Sequence, residues 1–153
     1  MQRRQSITKR RIAEIQLHRA VQLLEDEADP ISALTLAGAA EEILGKMVER
    51  KGLKTAFDDW CEFDRSFWDF AIARAKQSGK VVTPPNDKTL KQNVNATRNQ
   101  LKLNCGGKNV RVEAMFRYDA EDMILRAIRN YMRLYDRLPR DQRVIDWWTY
   151  ITD

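Results

Sequence analysis

Histidine occurs once and cysteine twice in this sequence of 153 residues, and that scarcity closes most routes to acid-base and metal chemistry. The single histidine, His18, lies between Leu17 and Arg19 in a helical segment, where a surface or half-buried structural role is expected. One histidine and two distant cysteines, Cys61 and Cys105, do not make a zinc site, and no metal or cofactor is expected. A glycine-rich phosphate loop, a Ser-His-Asp set and a His-Glu-x-x-His helix are all missing. So are an apolar run of about eighteen residues and a secretory h-region, which predicts a cytoplasmic protein with reduced thiols rather than an exported or membrane-inserted one. Proline is also sparse, and its four copies, Pro30, Pro84, Pro85 and Pro139, fall at the junctions between periodic segments.

What the sequence does have is amphipathic helix material. Hydrophobic residues make up 43% and charged residues 32%, a balance that predicts one folded domain over residues 1–153 rather than disorder. The net charge is +5, and Arg3, Arg4, Lys9, Arg10 and Arg11 concentrate it near the start, with residues 1–5 as a basic terminus. Such a run serves a polyanion or a solvated helix end, and both readings stand.

Apolar spacing predicts an all-α, up-down bundle of four to five main helices plus a short C-terminal helix. A first helix covers about 6–27. Asp29-Pro30 supplies a cap and a first-turn proline for a second, central helix that runs to about Lys51, with Gly52 as its stop. In it Leu36, Ala40, Ile43 and Met47 share a face; Glu41 falls at the edge of that face, and Glu42 points away. A third helix, about 54–77, carries Phe57, Trp60, Phe63, Phe67, Trp68 and Phe70, for which core packing is the stronger explanation and base stacking the weaker. A fourth runs from Asp87 to Asn104, ended by Gly106-Gly107. Asp119 is expected to cap a fifth, and a last short helix from about Asp141, holding Trp147 and Trp148, is expected to dock over the bundle or a neighbouring subunit. The KNVRVE stretch, 108–113, reads as an extended link.

The stretch NVNATRNQLKLNCGG, 93–107, is the candidate for chemistry. Arg98 lies at the margin of the Leu90, Val94 and Leu101 stripe, where a guanidinium needs a carboxylate, carbonyl or phosphate. An internal salt bridge to Glu41 or Asp119 is one destination and a phosphate is the other. Paired acids such as Glu41-Glu42 face different directions on a helix and form no carboxylate dyad.

Taken with ALTLAGAAEEILGK and DAEDMILRAIRNYMRL, this TRNQLK stretch before a helix break resembles the HEPN family (higher eukaryotes and prokaryotes nucleotide-binding), over most of the chain. The family's signature is an Arg, commonly a following polar residue, then a His after four to six residues. The resemblance implies a helical homodimer in which the Arg holds an RNA phosphate and the His handles a proton, without a metal. By that resemblance Arg98 and Asn99 take the first two motif positions, while the histidine position falls on Leu103, Asn104 or Cys105. Leu103 does no proton chemistry, Asn104 hydrogen-bonds without serving as an acid or base, and Cys105 would need a shifted thiol pKa.

The resemblance therefore implies a dimeric RNA- or nucleotide-binding or assembly module that has lost the motif histidine, in a defence or toxin-antitoxin setting. Its nucleic-acid contacts would be Arg98, Asn99, Lys102 and Lys108, with Glu41 in support. An active metal-independent endoribonuclease using Arg98 and Asn104 is the rival. A bundle that docks a protein partner through an exposed Trp147-Trp148 pair is the third reading; no membrane partner is expected.

Overall fold

Helix starts in this chain are set by short polar side chains that answer the first free backbone N–H groups. Thr8 accepts from the Arg11 N–H and opens α1 (Lys9–Glu25). Asp29 accepts from Ser32 at 3.0 Å, and Pro30 fills the first turn of α2 (Pro30–Arg50), which ends before Gly52 in the left-handed region. Thr55 and Asp58 exchange hydrogen bonds in a capping box at α3 (Ala56–Gln77). Asn86 caps α4 (Asp87–Val94), α5 covers Ala96–Lys102, α6 covers Phe116–Tyr135, and Asp141 caps α7 (Gln142–Thr152). The computed structural model describes residues 6–102 and 112–153, the side chain of Lys102 excepted; among these residues it is all-helical, with no strand.

The core is a three-helix stack. α2 packs most extensively on α6 and, on its other side, on α1. Small residues let the backbones approach: Ala33, Ala37, Ala40, Ala120 and Ala127 are fully buried beside Leu17, Leu44, Ile124 and Ile128. α7 lies across α1. The buried arc of α2 runs through Ala37, Glu41, Leu44 and Val48, so Leu36, Ile43 and Met47 are only partly covered.

Four expectations are corrected. The fourth helix is two helices, broken at Asn95, whose backbone (φ −111°, ψ 14°) leaves the helical region while its side chain turns to Arg126. Asp119 does not cap α6; the helix begins at Phe116 behind Met115 with no side-chain cap, and Asp119 instead accepts from the Thr97 hydroxyl at 2.9 Å, tying α5 to α6. Trp147 is buried and Trp148 partly covered by the core, so they hold α7 down rather than offer a docking pair. The aromatic run of α3 is not core: Phe63, Phe67 and Phe70 are 77%, 60% and 63% exposed, because α3 meets α4 and α6 through its other face. The 108–113 link lies largely outside the described residues. No helix among the described residues is long and apolar enough to cross a membrane.

Candidate functional site

Arg98 sits on α5 over α2, and the sequence of α2 makes room for it. Gly38 has no side chain to obstruct the guanidinium stem: a Cβ there would stand 2.9 Å from Arg98 Nε and 3.2 Å from its Cδ. One turn along, Arg98 Nη1 donates to Glu41 Oε2 at 3.4 Å, and Nη2 donates to Glu42 Oε2 at 2.6 Å. Glu41 is therefore the internal carboxylate that its position on the helix allowed. Glu42, expected to face away, bends back to Arg98 while 42% of its side chain stays exposed; it also pairs with Lys46 at 3.0 Å. Asp119, the other partner considered for Arg98, is engaged by Thr97 instead.

A second arginine completes the site. Arg126 on α6 is 2% exposed; its Nη2 donates to Glu41 Oε1 and its Nη1 to Asn95 Oδ1, both at 3.0 Å. Its guanidinium also lies over the Phe57 ring, 5.0 Å from the centroid. Glu41 thus accepts on both oxygens from two guanidiniums on different helices. Two arginines and two carboxylates sum to zero charge, which is the condition for keeping such groups out of water. The Nε of each arginine is buried without an acceptor among the described residues. A surface pocket of about 170 Å³, lined by Glu41, Glu42, Asn95, Arg98 and Arg126 among others, opens onto this cluster.

Next to it, Asn130 is fully buried and its Oδ1 accepts from the Ala56 N–H at 2.8 Å, fixing the start of α3. Asp122 accepts from Trp60 Nε1 at 2.8 Å. Burial pushes the Asp122 carboxyl above its ordinary value, against the lowering effect of the Trp60 bond and Arg126.

The other expected site residues divide. Asn99 is exposed on α5 beside Arg98. Asn104 and Lys108, like Leu103 and Cys105, lie outside the described residues, as does the side chain of Lys102. His18 is not part of this cluster: its Nδ1 lies 2.8 Å from Asp141 Oδ2 and joins α1 to the start of α7. Cys61 is buried, and burial raises its thiol pKa, the setting of an unreactive thiol. No group of three or more His, Cys, Asp or Glu among the described residues is placed to hold a metal. Sequence reasoning missed Arg126 and Asn95, whereas Gly38 was legible as one of the small residues of α2 that let another helix approach, though not as the seat of Arg98. The signal for Gly38 was a glycine inside a strong helix, which costs about 1 kcal/mol relative to alanine and so asks for a packing reason.

No family model, no curated protein and no solved structure matches this chain. The geometry of the residues has to carry the functional reading.

Proposed function

We propose that the chain is a HEPN-like helical assembly module, dimeric, that takes the phosphate of an RNA or nucleotide at Arg98 without cleaving it, in the defence or toxin-antitoxin setting that the resemblance implies. The observation that supports this is the asymmetry of Arg98's two partners. Glu41 is buried and shared with Arg126, whereas Glu42 is half in solvent and holds the outer nitrogen Nη2. A phosphate oxygen arriving from solvent competes with Glu42 for that nitrogen and leaves the Glu41 bond in place. By the resemblance, Asn99, Lys102 and Lys108 are assigned to the same ligand.

The geometry weighs against the endoribonuclease rival. Both oxygens of Glu41 accept from arginines and the carboxylate is buried, so the group proposed to assist Arg98 and Asn104 is committed to holding the cluster together rather than turned toward solvent.

Fluorescence anisotropy with a labelled single-stranded RNA, and separately with a labelled nucleotide, tests the proposal at two salt concentrations. Glu42→Gln is expected to tighten binding by freeing Arg98 Nη2, and Arg98→Ala to weaken it, with affinity falling as salt is added. Unchanged affinity in both variants, with wild-type helicity in circular dichroism, would falsify the phosphate site. Cleavage of the RNA in EDTA that is lost in Arg98→Ala would replace it with the enzyme reading.

A further inference from the structure

The exposed aromatic face of α3 is a built surface. Phe63, Phe67 and Phe70 recur at i, i+4 and i+7, so all three rings stand on one stripe, while Cys61, Trp68 and Ile72 occupy the opposite, covered side. A solvent-facing helix needs no apolar stripe. At roughly 200 Å² for a Phe ring, these exposures leave on the order of 400 Å² of contiguous apolar surface, the size that marks an interaction site.

Charge along the helix indicates what covers it. Over residues 56–66 α3 carries four acids, Asp58, Asp59, Glu62 and Asp64, against Arg65; over 67–77 it carries Asp69 against Arg74 and Lys76. Asp58 is held by Thr55 and Asp59 by Lys54 and Arg133, but Glu62, paired among the described residues with Lys54 alone, keeps 58% of its side chain exposed and is the acid open to a second copy. Arg74 and Lys76 have no ion pair among the described residues, so the basic end of the helix is unanswered by them. A second α3 laid antiparallel on the stripe sets that basic end against an acidic first half and reverses the helix dipole as well. Parallel pairing sets like on like. The stripe is also nearly symmetric about Phe67, with Phe63 four residues before it and Phe70 three after, so a two-fold axis near Phe67 sets that ring against its own copy and brings Phe63 within one residue of register with Phe70. Self-complementarity of this kind is what an isologous interface requires and what an unrelated partner does not.

We infer that α3 is a homodimer interface, formed by antiparallel contact of two copies through Phe63, Phe67 and Phe70 with Glu62 and Arg74 at its rim. This deepens the assembly reading and rests on it. The stripe supplies the apolar centre and the charged rim the remainder of the roughly 800 Å² per copy that a stable interface buries.

Sedimentation velocity of the full chain across micromolar concentrations is the test. The wild type is expected to pass from monomer to dimer mass, Phe67→Glu to stay monomeric with unchanged helicity, and Arg74→Glu to need more protein to dimerise. Oxidation of Phe67→Cys should give a disulfide-linked dimer that the wild type does not form. A monomeric wild type at the highest concentration overturns the interface. A dimer that persists in Phe67→Glu also overturns it, but leaves the assembly reading standing on a different surface. A covalent dimer from Arg74→Cys as well as from Phe67→Cys would mean parallel pairing, in which every position of the stripe meets its own copy, and would overturn the antiparallel contact.

Discussion

The Arg98 cluster and the α3 stripe invert the usual sorting of side chains in opposite ways. At the first, two arginines and a glutamate lie almost entirely out of water, each answered by a partner of opposite charge on another helix. At the second, three phenylalanines on one face of α3 are 60–77% exposed to water. The first inversion is compensated within one copy and the second is not. Charge that is buried must be answered locally, because desolvation costs several kcal/mol per ion. Apolar surface can wait for a partner, because a ring left in water as it was in the unfolded chain forgoes a gain of about 25 cal/mol per Å² but breaks no hydrogen bond and strands no charge. A fold under both constraints keeps its ionic cluster at the junction of α2, α5 and α6 and its unfinished surface on α3, outside the stack of α1, α2 and α6.

The largest test of that contrast is removal of Arg126. Arg126→Ala leaves Asn95 and one Glu41 oxygen without their donor inside the bundle, and stability is expected to fall by about 3–5 kcal/mol. Urea unfolding followed by circular dichroism measures it. The double variant Arg126→Met with Glu41→Leu removes a buried charge of each sign and should recover part of the loss, although Arg98 then keeps only Glu42. A loss below about 1 kcal/mol for Arg126→Ala would mean that water reaches the cluster and that the two regions differ less than their burial suggests.

Gly38→Ala has a smaller effect with opposing parts. Alanine gains up to about 1 kcal/mol of helix propensity. Its Cβ, however, meets the middle of the Arg98 side chain, which Glu41 and Glu42 hold from the far end. Overpacking of this sort typically costs about 1–3 kcal/mol, so a net loss of about 1 kcal/mol is expected. A gain in melting temperature would show that Arg98 yields easily and is not pinned.

How legible these regions were in the sequence differs for a physical reason. Caps and breaks are local chemistry, and Asp29-Pro30, Gly52, Asn86 and Asp141 are found where the sequence predicts helix boundaries. Position on a helix is local as well, so the all-helical fold and the inward turn of Glu41 were readable. Arg126 was not, because its partners Glu41 and Asn95 stand 85 and 31 residues away and only tertiary packing brings them together. The break at Asn95 was hidden for the same reason: the asparagine serves Arg126, and no proline or glycine marks it. The aromatic run of α3 misled because composition says that Phe seeks burial without saying against what. Its Phe63, Phe67 and Phe70 point away from the face that α4 and α6 cover.

Asp122 probes the edge of the polar cluster. Its carboxyl lies above the ordinary value because burial outweighs the Trp60 hydrogen bond and the nearby Arg126. A raised folded pKa means that the native state holds its proton more tightly. The contribution to stability is then complete below the ordinary aspartate value, about 3.9, and is lost as pH rises through the folded value. Asp122→Asn, which keeps an acceptor for Trp60 Nε1, should therefore be more stable than wild type at neutral pH and lose that advantage in acid. Glu14 and Asp59 have the opposite sign. Burial raises both, but hydrogen bonds from Tyr131 and Arg10 to Glu14, and from Lys54 and Arg133 to Asp59, hold them below the ordinary value. Their contribution is lost as pH falls through the folded value. Thermal melts of Asp122→Asn across that range separate the two signs, and a constant offset from wild type at every pH would refute the assignment to Asp122.

The smallest expected change in fold stability belongs to the other side of the contrast. Phe67 is 60% exposed, so Phe67→Ser in a single copy removes no core contact and should shift unfolding by no more than about 0.5 kcal/mol. The measurement has to be made by urea unfolding at protein concentrations below those that favour association, since dimer formation adds its own concentration-dependent stability. Under those conditions an apolar ring costs little to lose precisely where a buried guanidinium costs most, and the difference between Phe67→Ser and Arg126→Ala becomes the energetic measure of which inversion is satisfied internally. At higher concentrations the wild type should gain stability over Phe67→Ser, because only the wild type can cover its stripe with a second copy. If Phe67→Ser instead costs more than about 2 kcal/mol in the dilute regime, the ring is packed within the single chain and the α3 face is not free for a partner.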